Sequence, residues 1–257
     1  MNIEDLYLEV TRFCTLKCEH CLRGDSEKKN MSIETLENIL KDVHRIDTLL
    51  LSGGEPFVNI KVLEELPRLI EQYQIEINRI GIITNGTIYT ERHKRALERL
   101  MKSCKSLECY ISSDLFHRLE WKRLGIEEQI NNNYEAYKQS IPIEKHLEHD
   151  CFHNVSLNAK GRAKDLTEER LKELQRKYYI NYRLEERKEE GLSIEEDTVH
   201  GKVCIDIHGF LVGFNKSFQE EDEEACISYN VNCKPLPEII PNYIAARQVP
   251  INKCYSN

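Results

Sequence analysis

Three cysteines, Cys14, Cys18 and Cys21, stand close together in the segment Phe13-Cys14-Thr15-Leu16-Lys17-Cys18-Glu19-His20-Cys21. Thiolates at this spacing ligate metals. A cubane iron–sulfur cluster held by three protein thiolates keeps one iron open for a substrate or cofactor. Zinc takes a fourth protein ligand when structural, and a water when catalytic. The spacing alone leaves a cluster, zinc and structural thiols open. The chain carries ten cysteines in 257 residues. Disulfides are rare in a reducing compartment, so metal or cluster ligation leads the readings for some of them.

The elements that must position these cysteines alternate along the chain. Strand-like apolar runs fall at Leu6 to Val10, Thr48 to Leu51, Ile80 to Thr84, Leu107 to Ser112 and Val155 to Leu157, and amphipathic helices begin near Ser32, Lys61, Glu91 and Glu127. In the first helix Ser32 can cap the N-terminus and Glu34 suits the positive end of the dipole. Ile33, Leu36, Ile39, Leu40 and Val43 form an apolar stripe that needs a sheet to cover. Strand and helix repeated in this way predict an α/β fold with a parallel sheet and right-handed crossovers. A complete eight-unit barrel takes about 250 residues. Because the last third breaks the rhythm, the expectation is an incomplete (β/α)6 TIM-like barrel over residues 1–200 with a small C-terminal extension over 201–257. Within that last third, Thr167 to Glu196 reads as a charged helical stretch and Val203 to Phe214 as a hairpin turning at Gly209. The charge runs, Glu220 to Glu224 among them, read as solvated surfaces.

Cys14, Gly53, Asn85 and Asp114 all follow the C-terminal ends of successive predicted strands, the face on which barrel loops build active sites. Asn158, Lys160, Gly161 and Arg162 continue the series after the fifth strand. Taken singly, Thr84-Asn85-Gly86 is a turn using left-handed Asn and Gly conformations, and Ser112-Ser113-Asp114 is a helix cap. Their shared edge is what points to a site.

Composition narrows the class further. With 40% hydrophobic and 31% charged residues, no long apolar stretch and no cationic-then-apolar leader, the expectation is a cytoplasmic protein that does not enter a membrane. A formal net charge of -8 argues against gripping a phosphate backbone, so nucleic acid is disfavoured as a partner.

Cys14-x-x-x-Cys18-x-x-Cys21 after the first strand, followed after the next by Gly53-Gly54-Glu55-Pro56, resembles the pair of signatures of the radical S-adenosylmethionine superfamily. The resemblance covers about residues 1–165 and the remainder loosely. It implies an enzyme in which Cys14, Cys18 and Cys21 hold a [4Fe-4S] cluster whose fourth iron chelates the amino and carboxylate groups of S-adenosylmethionine. Reductive cleavage would give a 5′-deoxyadenosyl radical that abstracts a substrate hydrogen. It also implies cofactor contacts from Gly53, Gly54, Glu55 and Pro56 toward the methionine amino group, from Asn85, Ser112 and Asp114 toward the ribose, from Arg162 toward the carboxylate or adenosine, and from His20 near adenine. Glycines let backbone approach a ligand, and a carboxylate such as Glu55 can face an ammonium.

The implied partners are a flavodoxin- or ferredoxin-like electron donor and a peptide or small-molecule substrate. Asp114, His117, Tyr110 and Lys160 could project into the barrel mouth as acid, base or radical-relay groups, and none is assigned a catalytic role. The segment Cys204-Ile205-Asp206-Ile207-His208-Gly209-Phe210 resembles the hairpin that opens SPASM or shortened twitch extensions. That implies one auxiliary cluster on some of Cys204, Cys226, Cys233 and Cys254, with buried structural cysteines as the alternative. Cys104, Cys109 and Cys151 read as packing residues. The competing classes are a ferredoxin-type electron carrier, a zinc-stabilised binding module, a scaffold that binds the cofactor without turnover and, within the family, an activating enzyme for a glycyl-radical protein.

Overall fold

The computed structural model describes residues 1–141, 154–188 and 191–248. Strand β1 (Asn2–Thr11) leads through α1 (Ile33–Leu40) to β2 (Arg45–Gly53), then through α2 (Ile60–Tyr73) to β3 (Glu76–Thr84) and through α3 (Glu91–Lys102) to β4 (Ser106–Ile111). Helices α4 (Leu115–Leu124) and α5 (Glu127–Ser140) precede β5 (Asn154–Asn158), and α6 (Glu168–Tyr178) precedes β6 (Asn181–Glu185). The chain then runs through β7 (Ser193–Glu195), β8 (Thr198–Ile205), β9 (Leu211–Val212), α7 (Phe218–Glu224) and α8 (Leu236–Gln248).

Parallel pairing of β4, β3, β2, β1 and β8, in that order, builds the main sheet, with β7 and β9 antiparallel to β8. Register aligns Val203, Leu6, Leu49, Ile80 and Leu107 in one row across it. All five are buried in the core that also takes Leu36, Leu63, Leu66, Leu97 and Leu100 from α1, α2 and α3. That face is what the amphipathic stripes cover. One residue along, Cys204, Tyr7, Leu50, Gly81 and Glu108 form the adjacent row, whose side chains take the opposite face because the pleat alternates. A Cβ on Gly81 would lie 2.6 Å from Leu50 Cδ1 and 3.1 Å from Tyr110 Cε2, so glycine lets the side chains of that face close together.

The expected α/β architecture with a parallel sheet is observed, as an open arc. β5 and β6 pair in parallel as a separate two-stranded sheet, and no closed barrel forms among the described residues. Two local expectations are corrected. Thr167 to Glu196 is not helical throughout: α6 ends at Tyr178, Tyr179 takes a left-handed φ of 62°, and β6 follows. Acidic and basic residues around buried Tyr182 mask the short alternation of that strand. Helix α4, which begins straight after the Asp114 cap, was expected only as a cap. The 200/201 boundary falls inside β8, which is hydrogen-bonded to β1 in the main sheet. The hairpin turning at Gly209 is present as β8 and β9. No helix among the described residues is long and apolar enough to cross a membrane.

Leu49 is fully buried at the centre of the row, whereas Leu124 is 42% exposed. Leu49→Ala is expected to cost about 2–5 kcal/mol of apo-protein stability, and Leu124→Ala less than about 0.5 kcal/mol, in denaturant titrations followed by circular dichroism.

Candidate active site

Parallel strands bring their C-terminal ends to one edge, and a cavity of about 440 Å³ opens there. Its wall takes Cys14, Cys18, His20 and Cys21 from the loop after β1, Gly53 and Gly54 after β2, Asn85 after β3, Ser112 and Asp114 after β4, and Arg162 after β5. Glu55 and Pro56 do not line it. They lie buried behind it.

The cysteine loop is fixed mostly by backbone. Pairing of β1 with β2 continues past the strands: Gly54 N–H donates to Thr11 O at 2.7 Å and Glu55 N–H to Phe13 O at 2.8 Å. A side chain at either glycine would prevent this. A Cβ on Gly53 would lie 2.2 Å from Thr11 O, at a φ of 122°, and one on Gly54 would lie 2.4 Å from Phe13 O. The close approach that these glycines permit is therefore to the cysteine loop itself. Ser26 braces the same loop, accepting from Cys14 N–H at 2.8 Å.

Glu55 spends its carboxylate inside the protein. Oε1 accepts from Phe57 N–H at 3.1 Å and from the Thr84 hydroxyl at 2.8 Å, and Oε2 accepts from Asn85 N–H at 2.7 Å. Both oxygens of Glu55 are thus engaged by donors of its own chain, which fix the turn after β3. Burial pushes its pKa up to about 7, against the opposing pull of these hydrogen bonds. The loop that it holds presents Asn85. Its Nδ2 reaches Thr15 Oγ1 at 3.1 Å and Cys14 Sγ at 3.5 Å, and its Oδ1 accepts from Thr87 N–H at 3.0 Å. Asn85 thus links the third strand end to the cysteine loop, and the turn at Thr84-Asn85-Gly86 presents it at the cavity wall.

Asp114 likewise combines cap and site. Oδ1 accepts from Phe116 N–H at 2.9 Å and His117 N–H at 3.2 Å at the start of α4. Oδ2 lies 2.6 Å from His117 Nδ1 and 3.3 Å from His20 Nε2. Burial would raise the Asp114 pKa, but the contacts with His117 and His20 outweigh it and hold the carboxyl well below the usual carboxylate range. His20 stacks on Phe116 at 4.5 Å between centroids. Ligand atoms of His20, Asp114 and His117 lie within 4.8 Å of one another.

Arg162 is committed to the cysteine loop: Nε donates to Cys18 O at 3.0 Å, Nη1 donates to Gly24 O, and its backbone N–H donates to Cys21 O at 2.9 Å. It supports the loop's far end at the cavity wall. Lys160 pairs with Glu220 at 2.9 Å, and the Tyr110 hydroxyl donates to Glu108. Neither residue lines this cavity, whereas His117 does. The sequence reading missed Tyr7, Ser156, Arg187, Phe214 and Asn215, which also line the wall. Tyr7 occupied an apolar run, and Phe214 and Asn215 reach the cavity only because β8 pairs with β1. The edge contact of Tyr7 with Phe214, 4.6 Å between centroids, had no local signal.

The donor set fits a cluster. Cys14, Cys18 and Cys21 share one cavity and no disulfide. Burial pushes the Cys14 thiol up to about 11, and burial followed by Asp114, Cys21 and Cys14 pushes Cys18 well above its ordinary value. Thiolates crowded in this way need a bound cation, and metal binding would release their protons.

A family model for the radical SAM superfamily matches residues 8–115, the segment that spans the cysteine loop, the glycines, Asn85 and Asp114. Over that segment, about two fifths of the chain, the sequence is similar to the radical SAM superfamily. Curated relatives include a putative L-lysine 2,3-aminomutase of Aquifex aeolicus, 37% identical over 82 residues that cover 29% of this chain and 22% of that protein. Another is the tungsten-containing aldehyde ferredoxin oxidoreductase cofactor-modifying protein of Pyrococcus furiosus, 29% identical over 37% of this chain and 27% of the relative. The 7-carboxy-7-deazaguanine synthase of Aquifex aeolicus is 21% identical over 54% of this chain and 75% of its own length. The first curated relatives are matched over 22–36% of their own length. Among solved structures, native anSMEcpe with bound AdoMet and Cp18Cys peptide aligns with a TM-score of 0.46 at 18% identity, over 76% of this chain and 54% of that one.

Outside the matched segment, Cys204 is buried in β8, Cys226 is half-buried and Cys233 exposed. Cys254 and Cys151 lie outside the described residues. Cys104 and Cys109 pack as expected, half-buried and buried respectively.

Glu55→Gln is expected to destabilise the fold by about 1–3 kcal/mol, because an amide NH₂ must then confront one of three buried donors. The raised pKa has its own signature. The unfolded carboxyl ionises near 4.5 and the folded one near 7, so the folded state binds the extra proton between them and stability falls as pH rises through that window. Thermal unfolding of both proteins from pH 4.5 to 7 should show this component in wild type and its loss in Glu55→Gln.

Proposed function

We propose that the chain is a radical S-adenosylmethionine enzyme in which Cys14, Cys18 and Cys21 hold a [4Fe-4S] cluster with one iron left for S-adenosylmethionine. The observation that carries this reading is the placement of the three thiols and the Gly53-Gly54 backbone on one cavity wall at the strand ends. When bound, cluster and cofactor supply reductive cleavage to methionine and a 5′-deoxyadenosyl radical, which abstracts a substrate hydrogen. The protein's share is holding and orienting. Gly53 and Gly54 set the second strand end against the cysteine loop. Asn85 turns its amide toward Cys14, where it can stabilise a thiolate sulfur. Asp114, kept ionised by His117 and His20, offers carboxylate oxygen to a hydroxyl such as those of a ribose. His20, clamped between Phe116 and Asp114, supplies a flat ring beside the loop.

The rest of the wall would take the substrate, a peptide or a small metabolite. Tyr7 and Phe214 give it an aromatic surface, while Ser156, Asn158, Asn215 and Arg187 give it donors and acceptors. An electron donor of flavodoxin or ferredoxin type would reduce the cluster. A single cluster accounts for the cysteines that the cavity presents. Cys204 is 4% exposed and sits in strand register between Tyr7 and Val212, which suits a small packing residue better than a ligand.

Anaerobically reconstituted, dithionite-reduced protein is expected to release 5′-deoxyadenosine from S-adenosylmethionine, measured by chromatography. Alanine at Cys14, Cys18 or Cys21 should abolish that product; an alanine variant that cleaves at the wild-type rate would refute the assignment. Iron analysis of the reconstituted wild type is expected to give about four irons per chain, the content of one cubane, and about eight would restore the auxiliary cluster.

A further inference from the structure

Both ends of the cysteine loop carry an arginine, one fully buried and one half-buried, and the two meet at one side chain from the far end of the chain. Arg12 lies two residues before Cys14 and is fully buried. Its Nε donates to Glu9 at 2.9 Å, Nη1 to Asp222 at 2.8 Å, and Nη2 to Glu221 Oε2 at 3.3 Å, with Asp206 at 3.5 Å. Arg23 lies two residues after Cys21. It donates to Lys216 O at 2.8 Å and to Glu221 Oε1. Each oxygen of Glu221, itself 1% exposed, therefore receives the arginine from one end of the loop.

The segment carrying Glu221 is locked in place by other means. Ser217 and Glu220 form a reciprocal capping box at the start of α7. Phe218 N–H donates to Arg23 O at 2.9 Å, and the Phe218 ring lies 5.0 Å beneath the Arg12 guanidinium. Lys160 ties Glu220 back to the loop after β5. Burying the Arg12 guanidinium with three carboxylates, Glu9, Asp206 and Glu221, is costly unless each keeps its partners. Hydrophobic packing could have docked α7 more simply. A network this polar, placed at both ends of the cysteine loop, favours one fixed geometry.

We propose that Glu221 is a positioning residue that staples the two ends of the cysteine loop, setting the separation at which Cys14 and Cys21 are presented. The proposal rests on the reading that these cysteines hold a cluster. It makes the C-terminal extension part of the cluster's frame. Replacing one Glu221 oxygen with an amide NH₂, which cannot accept from an arginine, loosens the loop, so the cluster is surrendered faster and its electronic environment becomes heterogeneous.

The test uses reconstituted full-length Glu221→Gln, with Arg23→Lys as a second variant and Leu49→Ala as a control that destabilises the core far from the loop. Iron release to a chelator is followed anaerobically at a temperature where circular dichroism shows every protein folded, and the reduced samples are compared by electron paramagnetic resonance. Glu221→Gln is expected to lose iron at least about tenfold faster than wild type and to broaden the resonance, with Arg23→Lys intermediate. Leu49→Ala should match wild type in both readouts. If Glu221→Gln and Arg23→Lys release iron like wild type, or no faster than Leu49→Ala, the staple is overturned. Should wild type itself take up no iron, the cluster reading falls first and the staple with it. A Glu221→Gln chain that does not fold leaves Arg23→Lys to decide by the same criteria.

Discussion

Everything at the strand ends depends on the backbone pairing that carries β1 and β2 beyond their regular strands. Thr11 and Phe13 accept from Gly54 and Glu55 at 2.7 and 2.8 Å, and no side chain fits at residue 53 or 54 without striking a carbonyl. Two sequence motifs about thirty residues apart thus form one rigid piece. Its rigidity comes from hydrogen bonds between fixed peptide groups, which lose little conformational entropy when a ligand arrives.

From that piece the constraint passes outward. Glu55, made immobile by three donors, fixes the turn after β3, and that turn returns Asn85 to the cysteine loop. Arg162 holds the far end of the loop through backbone carbonyls, and Glu221 joins the residues that flank it. Side chains that face the cavity without these tasks include the three thiols, the shared Asp114 carboxylate with its histidines, and the Tyr7 and Phe214 wall. A frame of hydrogen-bonded polar groups packed against the loop keeps a ligand-binding loop in one conformation before anything binds.

Much of this was legible in residue order, and the parts that were not share a physical cause. Helix starts near Ser32, Lys61, Glu91 and Glu127 and the strands at their sides follow from apolar periodicity, which is local. Cys14, Cys18 and Cys21 and the paired glycines announce themselves because their types serve few purposes at that spacing. Strand β6 stayed hidden because its neighbours are charged. The partnership of β8 with β1 links residues nearly two hundred positions apart, and parallel pairing leaves no turn signal between them. The same separation concealed the Arg12 network, since an acidic run containing Glu221 looks solvated until its position in space is known. Glu55 was recognised as part of a motif, but its partners were not legible, because two of them are backbone N–H groups, which every residue carries, and the third is a hydroxyl 29 residues away.

The most direct measurement is the electron paramagnetic resonance spectrum of the reduced, reconstituted chain before and after addition of S-adenosylmethionine. A cubane held by three thiolates has an iron open to the cofactor's amino and carboxylate groups, so the g values are expected to shift on addition. A cluster signal that saturating S-adenosylmethionine leaves unchanged would contradict an open iron in this cavity, and with it the proposed chemistry.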